Sequence, residues 1–325
     1  MDRINILVCT DDNYVPQCGI MLTSLLATNI AIKFSVFVFS GGLSAGSRER
    51  LRAVVGGGGS IIEFITVEER MISRFASTIK EGDHVSLAAY YRLFCAELLP
   101  HTIDKLLYLD CDIIVNHNIL EIWNCQLGNY AIGAIVDENY FDNKVYERLG
   151  LNPSKYKYFN SGVLLINLRY WREHNVTARC IDCVCKMPEK LLFHDQDTLN
   201  VVLKDEIAYF PISWNFQTGF LYSFNQDKFS ETIRKEITDA LQHPYIIHYT
   251  GKYKPWFKGS RQPYTSYYLH HKSLSLWRGT PLLGELKLLP KIKGTLYNIM
   301  CLLGIKKKKE TYILSFKEYA EPERR

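Results

Sequence analysis

The 325-residue chain lacks several things that would each have fixed its class at once. No apolar run approaches the ~18 residues that a membrane-spanning helix needs, so no spanning segment is expected. The opening stretch, MDRINILVCTDDNY, has neither a long apolar core nor a small-residue cleavage site, which argues against a secretory leader and for a cytoplasmic protein. No glycines follow the first apolar run. CTDDNY stands where a dinucleotide-binding fingerprint would open a helix, and the glycine run at 56–59 follows a helical segment and reads as a helix stop and turn. The nine cysteines are odd in number and scattered, which suits a reducing compartment better than a disulfide framework. Cys180, Cys183 and Cys185 have no second Cys or His pair at zinc spacing, and they fall on a predicted helix after Trp171. The body also lacks a basic excess. Residues 286–325 hold ten Lys/Arg against four Glu, and the rest of the chain sums to −1, so no nucleic-acid partner is expected.

What is present is an alternation of strand and helix. INILVCT, FSVFVFS (34–40), SIIEFITV and KLLYLD are short, nearly continuous apolar runs. Helical patterns lie near 15–27 and 44–55 and across AAYYRLFCAELLP. Such units predict an α/β fold with a mainly parallel central sheet covered on both faces. YAIGAIVD (130–137), FNSGVLLINL (159–168) and PYIIHY read as further strands, and HDQDTLNVVLKD (194–205) as a helix. The expected organisation is one domain over 1–278, followed by a basic amphipathic segment over 279–325 that contains KKKK at 306–309.

The stretch LLYLDCDIIV (106–115) raises the main chemical question. Two carboxylates, Asp110 and Asp112, end an apolar strand, and burying them is costly unless a cation or strong donors compensate. In extended backbone, side chains two apart project to the same side, so the pair can converge while Cys111 faces away. Two hard oxygen ligands suit Mg²⁺ or Mn²⁺. A solvent-exposed Asp-X-Asp turn is the alternative at this point. Ligands of parallel sheets gather beyond the strands' carboxyl ends, and Asp11 and Asp12 end the first strand at that same edge.

The motifs ILVCTDDNY, AAYYRL, YLDCDIIV, YFNSGVLLINL, HDQDTLN and IHYTGKYKPW occur in this order. Together they closely resemble glycosyltransferase family 8, which includes bacterial lipopolysaccharide-type sugar transferases and glycogenin-like enzymes. The likeness runs from about residue 4 to about residue 256. It implies a GT-A fold that binds a UDP-sugar and a divalent metal, usually Mn²⁺, with Mg²⁺ as the alternative. Asp110 and Asp112 match the family's metal pair, and His248 matches its third ligand. Asp11, Asn13 and Tyr14 match the uridine segment, where Asp12 has the simpler reading of a helix cap. Arg92, Asn160 and Gly162 match positions lining the donor sugar. Lys254 matches a lysine reaching the diphosphate, with Gly251 allowing close backbone approach. Asp195 and Gln196 stand where the family holds the transferred sugar, and Asp137 is a further candidate for orienting the donor. On the acceptor side, His84 and Thr250 occupy matching positions, although some relatives carry a cysteine in place of Thr250.

The resemblance implies retention of anomeric configuration and a glycan or glycolipid acceptor. An amide is a poor nucleophile, so front-face return is favoured over double displacement through Gln196. Two other readings stand beside it: a non-catalytic nucleotide-sugar binder, and a haloacid-dehalogenase-type phosphatase, whose Asp-X-Asp would end the first strand. The basic segment is expected to meet an anionic membrane surface, placing the protein on the inner face of the cytoplasmic membrane.

Overall fold

The computed structural model describes residues 3–73, 75, 87–221, 228–252 and 254–284. Its strands are β1 (Ile4–Cys9), β2 (Phe34–Ser40), β3 (Ile61–Thr66), β4 (Lys105–Leu109), β5 (Ile113–Val115), β6 (Ile132–Val136), β7 (Phe159–Asn167), β8 (Ile207–Tyr209), β9 (Phe216–Gln217) and β10 (Ile246–His248). Seven of them form a sheet in the order β3-β2-β1-β4-β7-β6-β8. Every neighbouring pair is parallel except the two that involve β7. The remaining three form a small sheet, β5-β10-β9. The mainly parallel sheet expected from the sequence is therefore present, with one reversed strand near its middle.

Burial explains why the strands read as continuous apolar runs. Ile6 and Val8 of β1, Val36 and Val38 of β2, and Leu107 and Leu109 of β4 face one core. Leu7, Phe37, Phe39, Leu106 and Tyr108, at the alternate positions, face a second core across the sheet. A sheet covered on both faces needs apolar residues of both parities. On the first face lie α1 (Val15–Thr28), with Pro16 in its first turn, and α2 (Ala45–Val55), whose N-terminus is capped by Ser44.

Two local expectations change in form. LLYLDCDIIV is two strands in two sheets, not one run. Leu109 pairs with Val163 in β7, the Asp110 amide donates to Gly162 O at 2.8 Å, and after a turn Ile113 pairs with His248 in the small sheet. The segment expected as one helix after residue 87 is a 3₁₀ helix (Leu87–Phe94) followed by a single α-turn (Cys95–Leu98). Tyr90 to Cys95 are six consecutive buried residues, more than one face of an α-helix can hide. Cys180 and Cys183 lie buried on the helix Val176–Lys186, and the cysteines of the described residues are free thiols. His84 and the basic stretch 285–325 lie outside the described residues. Among those described, no helix is long and apolar enough to cross a membrane.

The helix Thr265–Leu274 packs on α1, and the backbone beyond it stays on the body. The Leu283 amide donates to Trp256 O at 2.9 Å, and the Lys258 amide donates to Leu283 O at 3.0 Å. Trp277 is buried over Gly19, where a Cβ would come within 1.9 Å of its ring. A rigid indole wedged against backbone cannot move aside. Gly19→Val should therefore cost about 1–3 kcal/mol through overpacking. It should lower the urea midpoint with an unchanged slope, and an unshifted midpoint would show that this contact yields freely.

Candidate active site

The polar side chains gather where the carboxyl ends of β4, β6 and β10 meet the start of β7. Because β7 runs against β4, it brings Asn160, Ser161 and Gly162 beside the turn that carries Asp110 and Asp112. The small sheet delivers His248 to the same place, since β10 ends next to the start of β5 and the Tyr249 amide donates to Asp112 O at 3.1 Å. Asp110 and Asp112 do converge, but through a turn closed by two sheets rather than through the alternation of a single strand.

Asp110, Asp112 and His248 each offer a ligand atom, all within 4.8 Å of one another. His248 Nε2 lies 3.3 Å from Asp112 Oδ1 and 4.0 Å from Asp110 Oδ2. The other ring nitrogen, Nδ1, is 2.9 Å from Asn215 Oδ1, which accepts its proton and leaves Nε2 as the ligating atom. Gly162 makes this approach possible. A Cβ there would come within 2.4 Å of His248 Cε1 and 2.8 Å of Asp110 Oδ2. Two carboxylates and an imidazole around a cradle cleared of side chains fit a divalent cation. Lys254 Nζ stands 2.5 Å from Asp112 Oδ2 and also donates to Tyr249 O. Burial pushes the Asp112 carboxyl up, but Lys254 and His248 outweigh it and hold it well below the usual range. Burial lowers His248 in turn, and the attraction of Asp112 and then Asp110 raises it overall.

Arg92 connects this cluster to a second group. Its buried guanidinium donates to Asp110 Oδ1 at 2.9 Å and to Ser161 O at 2.8 Å, and lies 3.3 Å from Asp195 Oδ2. It also stacks over Tyr108, whose hydroxyl donates to Asp110 Oδ1 at 2.6 Å. Asp137 is almost fully buried and accepts four bonds: two from Asn139, one from Asn160 Nδ2 and one from Gln196 Nε2. Gln196 Oε1 accepts from Asn160 Nδ2 and the Ser161 amide, each at 3.1 Å. Asn160 Oδ1 accepts from Asn215 Nδ2 at 2.8 Å. A continuous chain of polar contacts thus runs from Lys254 through Asp112, His248, Asn215 and Asn160 to Asp137 and Gln196.

The helix His194–Val202 brings Asp195 to Arg92 and Gln196 to Asn160 and Ser161. His194 has φ +48°, an unfavourable left-handed conformation for a non-glycine residue. Asp197 holds the turn in place. It is fully buried, forms a forked pair with Arg148 at 2.6 and 3.1 Å, and accepts from the Tyr158 hydroxyl and the Phe193 amide, each at 2.7 Å.

At the end of β1, Asp11 Oδ1 accepts the Asn13 and Tyr14 amides at 2.9 and 3.0 Å, which shapes the turn into α1. Asn13 is exposed, and the Tyr14 ring is partly open and edge-on to Trp256 at 5.9 Å. Asp12 turns away to Ser44 and supports the start of α2. Gly251 has φ +75°, a left-handed conformation suited to glycine. Thr250 Oγ1 donates to Glu138 Oε2 at 2.7 Å. Sequence reasoning passed over Tyr108, Ser161, Asn215 and Glu138. The first two lie inside motifs already singled out and were within reach. Asn215 and Glu138 carry no local signal and depend on long-range packing.

The fold and cluster together define an α/β domain with a candidate cation site at the edge where strands of the two sheets end. A family model described as Glycosyl transferase family 8 matches residues 5–259, and the chain belongs to that family. It is 32% identical over 291 residues to General stress protein A of Bacillus subtilis (strain 168), covering 87% of this chain and 98% of that one. It is 26% identical over 275 residues to a lipopolysaccharide 1,2-glucosyltransferase of Escherichia coli (strain K12), covering 85% and 79%. Its structure is similar to that of the galactosyltransferase LgtC solved with donor and acceptor sugar analogs. The TM-score is 0.75 at 27% identity, covering 85% of this chain and 99% of that one. Family membership displaces the phosphatase reading, and the Asp-X-Asp indeed ends β4 rather than β1.

Removing one partner of a buried ion pair leaves an uncompensated charge, worth about 3–5 kcal/mol. Asp197→Ala should accordingly destabilise the domain by about 3 kcal/mol in chemical denaturation. A loss below about 1 kcal/mol would mean that Arg148, which is partly exposed, is solvated as well by water.

Proposed function

We propose that the protein is a retaining, metal-dependent hexosyltransferase that moves glucose or galactose from a UDP-sugar to a sugar of a surface glycolipid or polysaccharide. The observation that carries this reading is the meeting of the Asp110, Asp112 and His248 donor atoms within 4.8 Å, one arginine away from the buried Asp195. The named activities of the E. coli glucosyltransferase and of LgtC support a hexose donor.

In this reading Asp110, Asp112 and His248 hold Mn²⁺, with Mg²⁺ as the alternative; an imidazole in the set favours Mn²⁺. The bound cation supplies charge neutralisation for a diphosphate leaving group. Lys254 adds a second positive charge on the same side, with Gly251 giving the loop its turn. Asp11, Asn13 and Tyr14 receive the uracil end. Arg92, Asn160, Gly162 and Asp137 line the donor hexose, Asp195 binds its hydroxyls, and His84 and Thr250 belong to the acceptor side.

The contacts of Gln196 favour front-face return. Both ends of its amide are engaged, Oε1 by two donors and Nε2 by Asp137, so it is held as a positioning group. The anomeric C–O bond breaks with its electron pair leaving on UDP. The acceptor hydroxyl oxygen then bonds to the same face of the oxocarbenium-like sugar, and its proton passes to the departing phosphate oxygen. We assign the transfer unit to 1–278 and an anionic-membrane contact to the basic segment 279–325, on its lysines and apolar clusters alone.

Incubating the protein with a panel of UDP-sugars, with and without Mn²⁺, tests this by UDP release. Release from one hexose donor that requires the metal, and its loss in Asp112→Asn with the fold retained, is the expected result. No release from any donor with a panel of glycan acceptors present, or equal release by Asp112→Asn, would refute it.

A further inference from the structure

Glu138 follows Asp137 at the end of β6, yet its contacts lead elsewhere. Its amide donates to Gln217 Oε1 at 2.8 Å. Its carboxylate accepts the Thr250 hydroxyl at 2.7 Å and faces the Gly219 amide. Gly219 is an accommodation to it, because a Cβ at 219 would lie 1.9 Å from Glu138 Oε2 and 2.1 Å from its Cδ. The Gly219 amide also reaches Thr250 Oγ1 at 3.3 Å, and Gln262 Nε2 holds Thr250 O at 3.0 Å.

Three separate segments therefore close on one half-buried carboxylate: the end of β6, the turn after β9 and the loop after β10. None of the hydrogen bonds described for Glu138 goes to Asp110, Asp112, Arg92 or Lys254. Those groups are held by the network that runs through Arg92 and His248. Burial and the adjacent Asp137 push the Glu138 carboxyl up to about 7, a cost that the side chain would escape by turning out to water.

We propose that Glu138 is a positioning residue for the acceptor side: by tying Thr250 and Gly219 to the end of β6, it fixes the surface from which the acceptor hydroxyl approaches the donor sugar. The assignment of that side rests on the transferase reading, and the tie itself does not. With the tie cut, residues 250–252 and the turn at 218–219 would open locally, while Lys254 further along the loop stays held by Asp112.

Glu138→Ala and Glu138→Gln test this in two arms. The first follows backbone amide exchange in the free protein. Glu138→Ala should raise exchange at 219 and 250–252 at least tenfold without altering β1 and β4. Glu138→Gln should recover most of the protection, because an amide can accept from Gly219 and donate to Thr250. Unchanged exchange, or a rise spread evenly over the domain, would overturn the proposal.

The second arm measures transfer from the UDP-hexose that the protein turns over to methyl glucosides and methyl galactosides, against hydrolysis by water. Glu138→Ala should lower the ratio of transfer to hydrolysis about tenfold, and an equal fall in both would overturn the acceptor-side role. Where the wild-type protein transfers to none of these glycosides, the exchange arm alone decides. The exchange arm needs no substrate, so a protein that releases no UDP at all refutes the transferase reading while leaving the tie to be judged separately.

Discussion

Everything at this site follows from the need to keep five aspartates, Asp110, Asp112, Asp137, Asp195 and Asp197, in or near a protein interior. Each would cost several kcal/mol if left unpaired. The compensation differs in each case, and the differences separate their roles. Asp197 is matched by a forked arginine and two neutral donors, which makes it a structural anchor. Asp137 is matched by four neutral N–H donors, so its charge is dispersed without a counter-ion. Asp110 and Asp195 share the single guanidinium of Arg92, and Asp112 is faced by His248 and Lys254. Asp110, left with a share of one guanidinium, stands beside Asp112 and the imidazole, and that trio is where additional positive charge is most strongly favoured.

The topology exists to make that sharing possible. A wholly parallel sheet would send the next strand's carboxyl end, not its start, to the site edge. Reversing β7 brings its first residues, Asn160 to Gly162, against the Asp110 turn. Splitting the 106–115 run between two sheets then places Asp112 on the rim of the small sheet, where β10 can present His248. Gly162 is the point of closest approach and carries the steric cost of both arrangements. A side chain at that position would separate the carboxylate from the imidazole, whatever else remained unchanged.

The balance between what was legible and what was not has a physical basis. Periodicity revealed the strands, since burial on two faces leaves a continuous apolar signature, and the apolar run before Asp110 marked the edge where the site lies. The division of LLYLDCDIIV was invisible because β4 and β5 are equally apolar, and only their partners, β7 and β10, differ. The helix expected after residue 87 tightened into a 3₁₀ turn because six buried residues in succession must be hidden on several sides at once. Asn215 and Glu138 are unremarkable in sequence, being 33 and 112 residues from the partners that define them. Their roles arise when β9 and β10 pair, an event that no local pattern announces.

The same distances bear on how much freedom the sugar side retains. Gln196 is held by Asn160, Ser161 and Asp137, which are themselves held by β7, β6 and Asn215. Asp195 is held by the Ser161 side chain and by Arg92 at 3.3 Å, and its Oδ2 makes no hydrogen bond of its own. One of these neighbours is therefore fixed in place, and the other keeps acceptor capacity turned toward the guanidinium. Under the proposed function, a group that binds sugar hydroxyls and faces positive charge growing at the anomeric carbon needs this second condition. The Oδ2 lone pairs remain available, and the charge of Asp195 is only partly offset by an arginine that Asp110 also draws upon. The division of labour within HDQD thus follows from how completely each side chain is already satisfied.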